Sequence, residues 1–361
     1  MNLTKKITAV FLALAMLFIF ASCGEESEEV LDIGTVNIGI IVDGDAAEEG
    51  SYANVQYNNF KAAYSAAGAG DSQVTEQTNI KPGDSAAMEK AMADLVARGC
   101  RLIVGTDEGY YNDFTKYAKD NPSAYFITMA DYKNIEPELS NVAVFTIRNY
   151  ETEYLEGLIA ASYSSTGKIG YVVDSSFMTA DTTDINAFLL GAQSVNPQAS
   201  VSLVIASDVK AGCEKVLADG CDILYTRNYK TDEEGNTYFE VPASVKDNMC
   251  LVSLKDGKPT FISAACQNLN VLYTKIITAT VNEKFSDLEG YTCGVKEGIV
   301  DVRPVSDEAV QAKVDALKDK LNNGENILGV QNISDLGTQL NGSSELHLAE
   351  AAGPSKAGRA R

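Results

Sequence analysis

Short apolar runs alternate with helix-length amphipathic segments along most of this chain. The first run, Val36-Asn37-Ile38-Gly39-Ile40-Ile41-Val42, stops at Asp43. A run so rich in β-branched residues predicts a strand covered on both faces, as in a parallel sheet. A polar loop over 44–50 follows, then Ser51-Tyr52. Tyr57, Phe60, Tyr64 and Ala67 recur at helical spacing, and Lys61 interrupts the stripe, so a helix with a narrow apolar face is predicted. Strand, loop and helix make the first half of a βαβ unit. In such units the ligand sits at the carboxyl end of the strand, which makes Asp43, Glu49 and Tyr52 candidate site residues.

The rhythm then repeats. Strands are predicted at 74–80 (weakly), 102–105, 125–129 and 142–147, with helices at 85–98 and 111–119. The strand at 102–105 runs out at Thr106-Asp107, so Asp107 and Tyr110 are candidates for a cleft rim. A second half begins near Tyr150. A stripe of Tyr154, Leu155, Leu158 and Ile159 opens it. Strands follow at 168–173, 200–205, 222–226 and 249–254, and helices at 185–194, 209–218 and, around Pro242, 238–246. Residues 260–264 lead into a long helix at 268–281, and a last helix is predicted at 307–321. Strands alternating with helices in two series predict two doubly wound α/β halves.

A length of 361 residues accommodates two domains of roughly 150 residues each. The net charge of −21 repels phosphate backbones, so nucleic acid is not an expected partner. The single histidine, His347, lies in the polar tail, which removes Ser-His-Asp, Cys-His and His-rich metal sites from the main body. With no nucleophile–base pair in view, an enzyme is not expected, and neither is a cofactor. The acidic group Asp43, Asp45, Glu48 and Glu49 lacks the alternation and turn glycine of a calcium loop, so no metal is expected there. Residues 162–169 are not a phosphate loop, because Ser162 and Ile169 stand where a glycine and a Ser/Thr are needed. None of the cysteines forms a C-x-x-C pair. Cys100, Cys213, Cys221, Cys250, Cys266 and Cys293 are expected to be buried free thiols, with disulfides as the alternative.

The N-terminus has its own signature. Lys5-Lys6 precede an apolar stretch at 7–20 that ends in Phe20-Ala21-Ser22-Cys23. That pattern predicts a lipoprotein signal peptide over 1–22, lipidation of Cys23 and an acidic tether at 23–34. The alternative is an ordinary secretory signal with an incidental cysteine. Residues 329–361 are polar, end in small and basic residues, and are expected to be disordered.

Taken in order, these motifs resemble the basic membrane protein (BMP) family of ABC-transporter substrate-binding lipoproteins, typified by bacterial purine nucleoside receptors. The resemblance covers roughly residues 37–305. It rests on the lipobox, the strand ending in Asp43, Ser51-Tyr52, Ile103-Val104-Gly105, and Phe126-Ile127 with Asp131. It continues through Asn141-Val142-Ala143, Glu151 with Tyr154-Leu155 and Gly157, Lys168-Ile169-Gly170, Gly191-Ala192, Val195-Asn196-Pro197, Gly220-Cys221-Asp222 and Gly298-Ile299-Val300.

The resemblance implies a type I periplasmic-binding-protein fold: two doubly wound, Rossmann-like lobes joined by a multi-segment hinge. One lobe would hold 35–147 plus about 264–295, the other 148–260 plus about 298–328, with crossings near 146–150, 258–263 and 294–302. It implies a monomer, anchored to the outer face of the cell membrane, that closes on a nucleoside and docks on an ABC permease. A nucleobase would stack on aromatic rings and its ribose diol would be held by carboxylates. Carried over by position, the ligand set is Asp43, Ser51, Tyr52 and Asp131, with Glu49 where a second Asp is usual, Asn54 displaced from the family's Asn because Ala53 stands in its place, and Phe177 closing from the second lobe. The chain departs from the family after Asp43, where a glycine pair becomes Asp45-Ala46. It departs again after Thr226, where a glycine-rich turn becomes Arg227-Asn228-Tyr229. Val252-Ser253-Leu254 removes an expected Asp, and Cys266 or Gln267 stands for an expected Lys. A sugar receptor of the same fold and a sensory lipoprotein without a transporter are the alternatives.

Overall fold

Asn37–Ile41 forms the first strand, β1, and four of its five residues are buried. In this computed structural model the described residues are 33–49, 51–130, 139–174, 183–206, 208–227, 242, 248–255, 259–288, 290–329 and 346–350. Four further strands build outward from β1: β2 (Val74–Gln77), β3 (Cys100–Gly105), β4 (Tyr125–Met129) and β5 (Val142–Ile147). With the late strand β11 (Tyr291–Cys293) they form a six-stranded sheet of order β11-β5-β4-β3-β1-β2, and every pair is parallel. Parallel strands need crossover helices. Here these are α1 (Tyr52–Ala66), α2 (Ser85–Ala97) and α3 (Tyr111–Asp120). The narrow stripe of α1 is broadened by Ala53, Gln56 and Ala63, all buried beside Phe60 and Tyr64. Phe60 meets Tyr273 of α7 (Leu269–Val281) edge to face at 5.3 Å, and the Tyr273 hydroxyl donates to Gln56 Oε1.

The second sheet contains β6 (Lys168–Asp174), β7 (Ser200–Ala206), β8 (Ile223–Arg227), β9 (Met249–Ser253), β10 (Thr260–Gln267), β12 (Val300–Val302) and β13 (Leu346–Glu350), in the order β12-β10-β9-β8-β6-β7-β13. β6 pairs in parallel with β7 and β8, while the β8–β9, β9–β10 and β10–β12 pairs are antiparallel. β13, from the polar tail, lies parallel to β7. Its helices are α4 (Asn149–Tyr163), α5 (Thr183–Val195), α6 (Val209–Ala218) and α8 (Glu308–Asn322). α4 and α5 approach backbone to backbone. A Cβ on Gly157 would fall on the Phe188 carbonyl, and one on Gly191 on the Tyr154 carbonyl.

The predicted strand at 222–226 starts one residue later, because Asp222 has other work. Its carboxylate accepts hydrogen bonds from Ser164 Oγ (2.5 Å), Ser165 N and Oγ (both 2.6 Å), Thr166 N (3.2 Å) and Thr166 Oγ1 (2.9 Å). Partial burial opposes ionisation there, but these donors outweigh it and hold the carboxyl near 2. The Ser/Thr-rich loop excluded as a phosphate site is thus a cradle for the chain's own carboxylate. The six cysteines among the described residues are free, and all but Cys266 are buried. The segment 238–246, apart from Pro242, lies outside the described residues, as do residues 1–32.

The chain passes between the sheets three times: from β5 into α4, from β10 into α7, and from β11 to β12. The second crossing falls at Gln267–Leu269 rather than near 258–263, since all of β10 pairs within the second sheet. The crossings are bonded to one another. Arg148 donates to Glu151 (2.6 Å) and Glu297 (2.6 Å), and its backbone N–H to the Cys293 carbonyl (2.7 Å). Glu151 also accepts from Val295 N (2.7 Å), Gln267 Nε2 donates to Asn149 Oδ1 (2.8 Å), and Asn268 N donates to the Ile299 carbonyl (2.7 Å).

Candidate functional site

Asp43 follows β1, and Asp107 follows β3, the parallel neighbour of β1. Strand register therefore brings the two carboxylates to one end of the first sheet. Ile41 pairs with Gly105, and Thr106 N donates to the Ile41 carbonyl at 3.2 Å. Tyr52 opens α1 above them. Its hydroxyl donates to the Thr106 carbonyl (2.8 Å) and lies 3.9 Å from Met129 Sδ, which fixes the ring beside the strand ends. Burial pushes the Tyr52 phenol up and Asp107 adds to this, while Gln56 and the positive charge of Arg227 act against it. Asp107 is itself raised, first by desolvation and also by the charge of Asp43. Asp43, Asp107 and Tyr52 thus gather at one end of the first sheet.

Other candidates have different work. Ser51 caps α1, accepting from Asn54 N (3.1 Å) and donating to the Asp45 carbonyl (3.0 Å). Asn54 Nδ2 donates to the Ala46 carbonyl at 2.6 Å. Both side chains therefore shape the loop between Asp43 and Tyr52. Glu49 is exposed in that loop. Tyr110 does not line a rim. It is fully buried, stacks on Phe114 with centroids 6.1 Å apart, and donates its hydroxyl to the Ile80 carbonyl. The correction has a simple cause: the turn at Glu108–Tyr110 rotates Tyr110 back beneath the sheet while Asp107, capping that turn through Gly109 N (2.8 Å), stays at the strand end. Asp131, Phe177 and Cys23 lie outside the described residues.

The second sheet contributes groups that strand patterns did not single out. Glu153 of α4 is buried and accepts from Tyr225 (2.9 Å) and Tyr171 (3.2 Å). Desolvation drives its carboxyl well upward, and the nearby charge of Asp184 pushes it further. Tyr171, Phe188 and Tyr225 form one aromatic cluster, with Phe188 and Tyr225 stacked at 4.8 Å. Arg227 ends β8. The signal for Glu153 was an acid directly before the apolar stripe Tyr154, Leu155, Leu158 and Ile159; for Arg227 it was the loss of a glycine-rich turn. A separate cavity of about 400 Å³ opens at the hinge between Arg148, Tyr150, Lys296, Glu297 and Leu328. It contains none of the strand-end residues, so it is not the site built from Asp43, Tyr52 and Asp107.

Comparison with known proteins bears on the family and the fold. A family model described as "ABC transporter substrate-binding protein PnrA-like" matches residues 35–329. A purine-binding protein of Brucella abortus is 32% identical over 158 residues, which span 42% of this chain and 43% of that protein. A candidate ABC transporter glucose-binding protein of Haloferax volcanii is 28% identical over 158 residues, 42% of this chain and 38% of that one. The matched stretch is thus less than half the length of either relative. Among solved structures, an ABC transporter solute-binding protein of Conexibacter woesei superposes with a TM-score of 0.59 at 19% identity, covering 82% of this chain and 99% of that one. The architecture is the type I periplasmic-binding-protein fold. No helix among the described residues is long and apolar enough to cross a membrane.

Proposed function

Since this chain belongs to the family of PnrA-like ABC transporter substrate-binding proteins, we propose that it captures a purine nucleoside between its two sheets and delivers it to an ABC permease. The observation that carries this reading is the Asp43–Asp107 pair beside the fixed ring of Tyr52. Ionised carboxylates accept charge-assisted hydrogen bonds from the two hydroxyls of a ribose. The Tyr52 ring, held by its bond to the Thr106 carbonyl, offers a π face to a base. The purine-binding relative from Brucella abortus supports the same ligand class. In this reading Cys23 carries the lipid that holds the receptor at the extracytoplasmic face of the membrane, and Asp131 and Phe177 complete the ligand set.

A receptor for a sugar is the second reading. It has its own support in the glucose-binding relative, and a carboxylate pair beside a ring also suits a hexose. A melting-temperature screen separates the two, because a ligand that binds only the native state raises its stability by mass action. Nucleosides are expected to raise the melting temperature of the full chain and hexoses to leave it unchanged. Asp43→Ala is expected to abolish the nucleoside shift while leaving the unliganded melting point within about 1–2 °C, since a substitution outside the packed core costs on the order of 0.5 kcal/mol. A shift with glucose alone rejects the nucleoside. A large fall in the unliganded melting point makes Asp43 structural.

A further inference from the structure

The hinge cavity of about 400 Å³ has no part in the nucleoside reading. Its volume falls within the range of small-molecule sites, roughly 300–1,000 Å³. Three parts of the chain wall it: the first crossing at Arg148 and Tyr150, the third at Lys296 and Glu297, and the segment 324–328 that follows α8. That segment is held in shape. Asn326 Oδ1 accepts from Leu328 N (3.1 Å) and Gly329 N (3.2 Å), and Leu328 packs in one apolar cluster with Tyr150 and Tyr154. One side of the cavity is therefore apolar and fixed. The polar side has spare capacity. Arg148 carries five N–H donors, and three are engaged: Nε by Glu151 (2.6 Å), Nη1 by Thr292 Oγ1 (3.1 Å) and Nη2 by Glu297 Oε2 (2.6 Å). The other two have no partner among the described residues. Glu297 Oε2 also accepts from Gly294 N (2.7 Å), while Oε1 is unpaired among those residues. Lys296 and Glu325 are exposed and form no ion pair or side-chain hydrogen bond among them. Glu151 has nothing to spare, because Arg148 and Val295 N take both of its oxygens.

Open donors and open acceptors thus line one small space. A simple anion placed on Arg148 and Lys296 lies near the charges of Glu297 and Glu325. A simple cation placed on those acids lies near Arg148 and Lys296. Each meets like charge at short range, and a molecule that carries both charges avoids the conflict. We propose that this cavity is a second ligand site, apart from the cleft, that takes a free α-amino acid with an apolar side chain. Its carboxylate accepts from the open N–H groups of Arg148 and from the Lys296 ammonium. Its ammonium donates to Glu297 Oε1 and to Glu325, so both ends make charge-assisted bonds. Its side chain lies against Tyr150 and Leu328. The site stands on the hinge geometry and does not depend on which solute fills the cleft.

The test is calorimetric titration of the full chain with L-leucine and with two probes of the same skeleton: isocaproate, which lacks the amine, and isoamylamine, which lacks the carboxylate. Leucine is expected to bind wild type, and each single-charge probe to bind weaker by on the order of tenfold or more. Lys296→Ala and Glu325→Ala are each expected to weaken leucine by on the order of tenfold. Both residues are exposed, so both variants are expected to melt as wild type does and to keep the response to inosine. Asp43→Ala, altered in the cleft, is expected to bind leucine as wild type does. No leucine binding to wild type overturns the inference. So does equal binding of isocaproate or isoamylamine, or undiminished leucine affinity in either Lys296→Ala or Glu325→Ala. Leucine binding that is lost in Asp43→Ala moves the amino acid to the cleft and overturns the hinge site. Failure of inosine to bind removes the nucleoside reading alone.

Discussion

Tyr52 and Tyr110 look alike in the sequence, each the first aromatic past a strand-end acid, yet they have opposite fates. Tyr52 keeps its ring beside Asp43 and Asp107 because its hydroxyl is held by the Thr106 carbonyl. Tyr110 is turned into the core by the tight turn that Asp107 caps. Residue spacing located both strand ends but not the rotation of a three-residue turn, which depends on local hydrogen bonds. The same limit hid Glu156. It lies fully buried on α4, its Oε1 accepts from Ser263 Oγ at 2.8 Å, and its Oε2 has no partner among the described residues. Burial pushes this carboxyl up to about 8, against the hydrogen bond from Ser263. The native state therefore holds a proton that the unfolded chain releases above about pH 4.3. The stability this group contributes is complete below that pH and is lost as pH rises towards 8. Urea unfolding at several pH values between about 5 and 8 is expected to show stability falling as pH rises. Glu156→Gln is expected to flatten that fall and leave the part due to the other raised carboxyls, Glu153 and Asp107. An unchanged pH slope in the variant would show that Glu156 is ionised in the native state.

At the level of elements, periodicity was a good guide where an element's own burial decides its form. α6 spans Val209–Ala218, the same bounds that its pattern predicts, and β1 and β3 end at the expected acids. Pairing direction was not legible. Apolar runs over 249–254 and 260–264 look the same whether the strand runs parallel or antiparallel, and β9 runs against both of its neighbours, β8 and β10. Nor could apolar stripes show how closely α4 and α5 pack. Gly157 and Gly191 decide that, since each lies against the other helix's backbone. A methyl group at Gly157 has a carbonyl in its way rather than a flexible side chain. Gly157→Ala is therefore expected to force the helices apart and cost about 1–3 kcal/mol or more. Denaturant unfolding checks this, and a change below about 0.5 kcal/mol, the range of ordinary surface substitutions, would mean that the contact relaxes freely.

Across the whole molecule, two sheets are joined by three crossings: Arg148, Glu151 and Glu297 tie the first to the third, and Gln267 and Asn268 tie the second to both. Tied crossings allow the halves to rotate about a common axis while each sheet stays rigid, which is how a hinge closes on a ligand. The two-lobed plan was legible from the repeated βα rhythm and from the BMP-family resemblance. The aromatic cluster of Tyr171, Phe188 and Tyr225 was less so, because it has no motif of its own. If a nucleoside bridges Asp43 on one wall and the second sheet on the other, binding must pull the halves together. Small-angle X-ray scattering of the full chain with and without inosine measures this directly. The account predicts a smaller radius of gyration at saturating inosine for wild type and no change for Asp43→Ala. Inosine that binds wild type without altering its radius of gyration, or that compacts Asp43→Ala equally well, would contradict it.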